Sequence, residues 1–144
     1  MKKSFFVLCL CTLALFGCKK YPEGGLHKLS KQHIYGTWKL KEYYLNNFDY
    51  SNEIWVVNLK ETFNEGGGFN RNYVDTAGIY HSHDGGWDIA GDKEVLKIFT
   101  DSTYKITPTA TVLATNFTLQ RLTKDELWYS FSAANGTHEL HFSK

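Results

Sequence analysis

Two histidines two residues apart offer the most suggestive chemistry in the chain: His81 and His83, followed by Asp84. Side chains two apart on a strand point to the same face, so the two imidazoles can approach one metal ion. A tight site needs a third or fourth ligand, which His138 or His141 near the end of the chain would have to supply. Nothing in the sequence places those residues beside His81. The pattern therefore favours exposed histidines next to a turn, with no resident metal or other cofactor.

The motifs of common hydrolases and nucleotide-binding proteins are missing from the sequence. It contains no G-x-S-x-G, no H-E-x-x-H and no P-loop pattern. A glycosidase needs two carboxylates across one cleft, and Glu42, Glu53, Glu61 and Glu65 are instead typical of solvated strand faces. We therefore expect a protein that is not an enzyme.

Aromatic side chains are frequent: the chain has 4 Trp, 9 Tyr and 10 Phe. If the domain forms a small barrel, some of these side chains can line a ligand pocket at its opening. The pocket would be mostly apolar and would include the polar tips of the aromatic side chains. They can equally fill the interior, because an eight-stranded barrel is either filled or holds one small ligand. The sequence leaves both alternatives open for a set of five candidates, which are Trp55, Tyr73, Tyr80, Trp87 and Trp128.

The N-terminus has the features of an export signal. Lys2 and Lys3 precede an apolar run from Phe5 to Phe16, which is shorter than the roughly 20 residues of a spanning helix. The following Leu-Phe-Gly-Cys, residues 15–18, resembles the lipobox of bacterial lipoproteins. That resemblance implies cleavage after residue 17 and a lipid on the sulfur of Cys18.

Three regions follow from this interpretation: a signal peptide at 1–17, a lipidated tether at 18–25 and one domain at 26–144. The mature chain would have no free thiol, because Cys9 and Cys11 leave with the signal. The lipid would hold the protein on the bacterial envelope, with the outer membrane expected. Lys19 and Lys20 after the lipidated cysteine favour the periplasmic face over the cell surface.

Charge excludes one class of partner. The formal net charge of the whole chain is +1, and loss of the two signal lysines makes it −1. Nucleic-acid binding requires a basic face, so no nucleic-acid partner is expected.

The elements that must position these side chains are predicted to be strands. Apolar and polar residues alternate in Gly36–Asn46, with Trp38, Leu40 and Tyr44 on one face, and again in Ile54–Asn64. Glu42 interrupts the first pattern, which indicates a bend or an end there. Further strands are expected at 69–82, 86–90, 94–100, 103–108, 111–121, 126–131 and 137–142, after a short helical turn within 26–34.

Turn residues separate the predicted strands. Asn64–Gly68, Asp84–Gly86 and Gly91-Asp92 contain residues that tolerate positive φ, and Asn135-Gly136 is a strong hairpin signal. Many short strands joined by tight turns predict an all-β, antiparallel, up-and-down barrel of about eight strands, or a sandwich.

Gly36-Thr37-Trp38 resembles the G-x-W motif of the lipocalins. Gly85–Ile98 (GGWDIAGDKEVLKI) and Arg121–Phe131 (RLTKDELWYSF) are similar to lipocalin-like lipoproteins of gut anaerobes. The resemblance implies a barrel whose first-strand tryptophan closes one end. It also implies a late-strand arginine stacked over that indole, which by order in the chain would be Arg121 over Trp38.

Two functions follow as expectations. The first is a lipid-anchored, lipocalin-like protein that binds a small apolar or amphipathic ligand. The second is a filled barrel that acts as an interaction or accessory module and docks onto an envelope protein partner.

Overall fold

A computed structural model describes residues 31–90, 95–100, 105–107, 110–111 and 116–144. The expected signal, lipidation site and tether, and the expected turn at 91–92, lie outside these residues. A 3-10 turn at Lys31–His33 is the described part of the predicted N-terminal helical turn. The remaining elements are β1 Gly36–Leu45, β2 Phe48–Asp49, α1 Ile54–Asn58, β3 Lys60–Phe63, β4 Gly68–Val74, β5 Tyr80–Ala90, β6 Val95–Thr100, β7 Lys105–Thr107, β8 Ala110–Thr111, β9 Asn116–Leu122, β10 Glu126–Ala133 and β11 Gly136–Ser143.

Eight strands form a closed antiparallel barrel. Their order is β1-β3-β4-β5-β6-β9-β10-β11, and β11 pairs back onto β1 from Lys39↔Ser143 to Leu45↔His138. The short β2 pairs with the end of β1, on the same edge that β3 pairs with at the start of β1, and β7 pairs with β8 in a separate hairpin. Closure removes the unpaired edges that invite aggregation. The predicted all-β, up-and-down barrel is confirmed.

Alternation along the strands separates a packed interior from the outer wall. In β4, for example, Phe69, Arg71 and Tyr73 are buried while the residues between them are partly exposed. The largest fully buried side chains include Trp38 and Phe63, together with Tyr129, Phe117 and Phe142. Apolar burial of this kind, at roughly 25 cal/mol per Å², is the main force that holds a domain without disulfides.

β1 contains a bulge where the sequence pattern breaks. The register with β11 shifts between Leu40 and Glu42. The extra residue moves the alternation by one position, so Tyr43 rather than Tyr44 points inward, with 4% of its side chain exposed. The expected bend near Glu42 is confirmed, and the expected inward position of Tyr44 is wrong.

The predicted strand at Ile54–Asn64 is wrong in its first half, which forms α1. Trp55 and its neighbour Val56 are both buried, whereas Val57 is 64% exposed. A strand cannot turn two consecutive side chains to the same face, but a helix can. α1 packs against β1 and β4, directly before the short β3 that lies between them. It therefore covers the gap in the barrel wall that a longer β3 would fill.

The predicted strand over residues 69–82 is two strands joined by a turn at Asp75–Ile79. The Asp75 carboxylate accepts hydrogen bonds from the backbone N–H groups of Ala77 and Ile79, both at 2.9 Å, and Gly78 has a φ of 79°. These features make an Asx-type turn. The turn was not predicted because the residues that flank it favour strands.

The turn expected at Asp84–Gly86 is also wrong, because β5 continues through it to Ala90. Here the glycines serve close packing. A Cβ atom on Gly86 would lie 3.4 Å from the Gly67 carbonyl oxygen, which accepts a 2.8 Å hydrogen bond from the Trp87 N–H. By contrast, the hairpin expected at Asn135-Gly136 is confirmed between β10 and β11.

The strand directions define two ends of the barrel. The α1 end carries α1 and the turns at 75–79 and 134–135, and the Trp38 end carries the start of β1 and the Lys31–His33 turn. No helix among the described residues is long and apolar enough to cross a bilayer.

Candidate functional site

A charged pair is completely enclosed by the barrel. Glu61 of β3 and Arg71 of β4 are direct cross-strand partners, and both side chains are 0% exposed. Arg71 Nε donates to Glu61 Oε1 at 2.8 Å, and its Nη2 donates to the same oxygen. The Tyr129 hydroxyl of β10 donates to Glu61 Oε1 at 2.8 Å and accepts from Arg71 Nη2 at 3.0 Å. We call Glu61, Arg71 and Tyr129 the polar triad.

The sequence pattern did not predict this triad. Glu61 was expected on a solvated strand face, and Arg71 was not among the candidate residues. The usable signal was the alternation itself, because Glu61 shares a face with Phe63, and Arg71 lies between Phe69 and Tyr73. Opposite charges at inward positions of neighbouring strands indicate a buried pair.

Next to the triad, towards the α1 end, three rings lie nearly parallel. Tyr73 stacks on His81 with ring centroids 4.8 Å apart, and on His83 at 5.9 Å. His83 is the direct cross-strand partner of Arg71. Burial lowers the pKa of His83, and the positive charges of Arg71 and His81 lower it further. A neutral imidazole therefore lies beside the triad, and its buried Nε2 has no hydrogen-bond partner among the described residues.

His81 is held by the turn that precedes it. Its Nε2 lies 2.8 Å from Asp75 Oδ2. This contact and the turn N–H groups lower the pKa of Asp75. The proposed third ligands lie elsewhere: His138 is buried near β1, and His141 faces the outer wall. In the part of the chain that the structure describes, no three His, Cys, Asp or Glu side chains come together as a group that could hold a metal ion.

A second polar contact lies inside the α1 end. The Tyr43 hydroxyl is 2.8 Å from His138 Nδ1, and His138 Nε2 is 2.8 Å from the side-chain oxygen of Asn135. Phe131 stacks on His138 at 4.4 Å, and Trp55 meets Tyr43 edge-on at 4.8 Å. Burial raises the pKa of Tyr43 to about 12 and lowers that of His138, so both groups are neutral near pH 7.

The five candidate lining aromatics do not form one site. Trp55 and Tyr73 are buried at the α1 end. Trp87 is buried towards the opposite end, where its indole N–H donates to the Asn64 carbonyl at 3.0 Å. Tyr80 is 63% exposed, and Trp128 also lies on the outer wall, because the residues next to them in their strands point inward.

The expected stacking of Arg121 over Trp38 is also corrected. The cation over Trp38 is the ammonium of Lys144, 4.5 Å from the ring centroid, and the Trp38 indole N–H donates to the Ile34 carbonyl at 2.6 Å. Arg121 lies 5.1 Å over Trp128 instead, because the two are cross-strand partners on the outer wall. Trp38 itself is fully buried at its end of the barrel, next to Gly36 at the start of β1.

Trp128 belongs to a compact cluster on the outer wall. His141 stacks on its ring at 3.9 Å, and Arg121 lies on the other side. The His141 nitrogens contact Glu42 at 2.8 Å and Glu139 at 2.5 Å. Because His141 and Arg121 both contact the indole, this cluster stabilises the wall.

Comparison with solved structures agrees with the barrel. A lipocalin-like protein from Bacteroides uniformis superposes with a TM-score of 0.56 at 17% identity, over 78% of this chain and 98% of that chain. An uncharacterised protein from Bacteroides eggerthii gives 0.55 at 15% identity, over 77% and 99%. No protein-family model matches this chain. No curated protein matches it either. At this level of identity the likeness establishes the fold, which is that of a lipocalin-like barrel.

Proposed function

We propose that this chain is a lipid-anchored envelope lipoprotein whose barrel binds a small apolar or amphipathic ligand at the α1 end. The anchor is the lipid on Cys18, and the site is the interior between the polar triad and α1. The N-terminal sequence supports the anchor, and the composition of the barrel interior supports the binding role.

The polar triad is the observation that carries the binding role. A buried ion pair loses the hydration of two charges, and apolar side chains of similar volume are often as stable or more stable. If the interior served only as a packed core, apolar side chains at positions 61 and 71 would be sufficient. Ligand sites, in contrast, combine mostly apolar walls with a few placed polar groups. The triad and His83, beside Tyr73, have this composition.

The size of the barrel limits the ligand. An eight-stranded barrel accommodates at most one small molecule. Side chains fill both ends of the barrel: Trp38, Phe63 and Phe142 at one end, and Val56 and His138 at the other, are at most 1% exposed. A ligand at the α1 end is therefore short, and we place its polar group towards His83 and its apolar part against α1.

A fluorescence titration tests the binding role. Dodecanoate and dodecan-1-ol are added to the full-length protein, and quenching of tryptophan emission gives the dissociation constant of each. Phe131→Ala removes an inward ring at the α1 end, and Phe99→Ala removes a half-exposed ring from the outer wall. Burial of a phenylalanine side chain is worth about 1.5–3 kcal/mol, so the first variant should weaken binding at least about tenfold.

Phe99→Ala should leave the dissociation constants unchanged. A folded protein that binds neither probe, or that loses equal affinity in both variants, would contradict the binding role. Circular dichroism of each variant separates lost binding from lost folding.

The anchor has its own test. Intact-mass analysis of the protein extracted from membranes should show a chain that begins at Cys18 and carries the mass of a diacylglycerol and an acyl chain. The Cys18→Ser variant should lack that mass and leave the membrane fraction. A wild-type chain without lipid would refute the anchor.

A docking role on an envelope protein is the second candidate. It is favoured by large apolar side chains that are exposed around α1: Phe48, Tyr50, Ile54 and Val57. Exposed apolar groups that cluster often mark interaction surfaces. Crosslinking in intact cells should then recover one partner with the wild type and less of it with Phe48→Ser. Equal recovery with both proteins, or none above background, would count against this role.

A further inference from the structure

An open groove of about 420 Å³ lies on the outer wall of the barrel, beside α1. Its volume falls within the range of small-molecule sites. It crosses β1, β3, β4 and β5 on the outside, and of its lining residues only Tyr73 also belongs to the interior site proposed above. The side chains that matter for its chemistry are Lys39, Lys60, Asn72, Val74, Tyr80 and Val57.

Two lysines face each other at one end of the groove. Lys39 of β1 and Lys60 of β3 are direct cross-strand partners, and both are exposed. Like charges directly opposite one another destabilise a sheet. Within the described part of the chain, neither ammonium pairs with a carboxylate. The pair therefore creates a positive position that no carboxylate among the described residues neutralises.

The groove also has an apolar wall. Val57 of α1 and Tyr80 of β5 are 64% and 63% exposed, and Val74 lies beside Tyr80 as its cross-strand partner. The Tyr80 hydroxyl donates to the side-chain oxygen of Asn72 at 2.7 Å, which holds the ring in place over the sheet. A fixed aromatic ring next to exposed aliphatic groups suits the apolar body of a ligand.

The length of the groove follows from the strand spacing. Lys39, Lys60 and Asn72 lie in one row across three neighbouring strands, and Tyr80 lies on the next strand. Three spacings of about 4.8 Å give roughly 14 Å from the lysine end to the tyrosine. A molecule with an acid group and a short apolar chain or one aromatic ring fits this span.

We infer that this groove binds a small carboxylic or phosphoric acid with an apolar body. The acid group lies between the Lys39 and Lys60 ammonium groups and relieves their repulsion. The apolar body lies against Val57, Val74 and the Tyr80 ring. The Asn72 side chain separates the two ends and provides an amide beside the ligand.

A pair of matched probes tests the assignment. 4-Phenylbutyrate and 4-phenylbutan-1-ol have the same apolar body, but only the first carries a charge. Each is titrated into the full-length protein, and dissociation constants are obtained from NMR shifts of the amide signals of Asn58, Lys60 and Asn72. The acid should bind more tightly than the alcohol. Its affinity should also fall as salt increases, because the lysine pair is exposed and therefore screened.

Lysine variants test which ammonium groups bind the acid group of the ligand. Lys39→Gln and Lys60→Gln should each weaken binding of the acid by about two- to fivefold, which corresponds to the loss of one exposed ion pair. Neither should change binding of the alcohol. Lys124→Gln, an exposed lysine in the turn between β9 and β10, is the matched control and should have no effect. Tyr80→Ser should weaken both probes.

Three results would overturn the assignment. They are equal affinity for acid and alcohol, equal loss with Lys124→Gln and Lys60→Gln, and no binding of the acid to a protein whose spectrum shows it is folded. Shifts that appear at Phe131 and His138 instead of at the groove would place the acid in the interior and would also overturn it.

Discussion

Glu61 and Arg71 show that residue type alone does not predict which side chains lie in the barrel interior. Their charges favour exposed positions, and Glu61 was expected on a solvated strand face. Alternation along β3 and β4 turns both side chains inward instead, where each neutralises the other and Tyr129 completes the contact. Residue type alone cannot identify such a pair, because its stability depends on a register between strands that the sequence does not specify.

Breaking the polar triad should be costly. Arg71→Met leaves the Glu61 carboxylate buried without its cation, so we expect a loss of about 3–5 kcal/mol in the free energy of unfolding. Urea denaturation followed by circular dichroism measures it. The double variant Glu61→Leu, Arg71→Met should lose less than Arg71→Met alone, since it buries no lone charge. A single variant as stable as the wild type would contradict the buried pair.

His138 should make stability depend on pH. Burial lowers its pKa in the folded state below the ordinary value of 6.5, so below about pH 6.5 the unfolded chain binds a proton that the folded chain does not. Stability is therefore complete above pH 6.5 and decreases as the pH falls towards the lowered pKa. Thermal unfolding between pH 5 and 8 measures this dependence.

His138→Gln should flatten that dependence, because it removes the titrating group. His83 has a pKa lowered in the same direction and adds to the effect in the wild type. Parallel loss of stability in the wild type and in His138→Gln would show that other groups cause it.

Trp38 closes one end of the barrel. Its side chain should contribute more to the free energy of unfolding than the Lys144 ammonium that lies over its ring. Trp38→Ala removes a fully buried indole and its hydrogen bond to Ile34, and we expect a loss of about 3–5 kcal/mol. Lys144→Gln removes the cation but keeps the indole and is the matched control, with a much smaller expected effect. Equal losses in urea denaturation would mean that the indole is not the main contact.

At the scale of elements, α1 is where the sequence pattern misleads most. Trp55, Val57 and Leu59 alternate as in a strand, and this alternation predicted one. Packing overrides it: the wall between β1 and β4 is covered best when adjacent residues Trp55 and Val56 both point inward. Helix and strand propensities of such short segments are weak compared with tertiary contacts. The strands with clear turn residues at both ends, such as β10 and β11, were predictable.

A pair of serine variants distinguishes the helix from the strand. Val56→Ser buries a hydroxyl and removes apolar volume, so it should lower the free energy of unfolding by about 1–3 kcal/mol. Val57→Ser changes an exposed position and should stay within about 0.5 kcal/mol. The predicted strand requires the reverse order, so a larger loss at Val57 would contradict α1.

At the scale of the whole molecule, the barrel architecture could be predicted, but the arrangement of side chains in its interior could not. Period-two alternation, tight turns and the G-x-W resemblance indicate a closed antiparallel barrel, as observed. Whether aromatic side chains fill the interior or line a site depends on strand register and on the stagger around the barrel. Tyr80 and Trp128 illustrate this limit, because one position of register decides whether each ring points inward or outward.

The proposed function depends on a ligand inside the α1 end, and native mass spectrometry tests this most directly. The protein is isolated from membranes of the cells that make it and is sprayed intact, before and after incubation with dodecanoate. We predict one small molecule bound per chain, released when the protein is denatured. A chain that stays free of ligand in both samples, while its circular dichroism remains that of a β-barrel, would contradict the proposal.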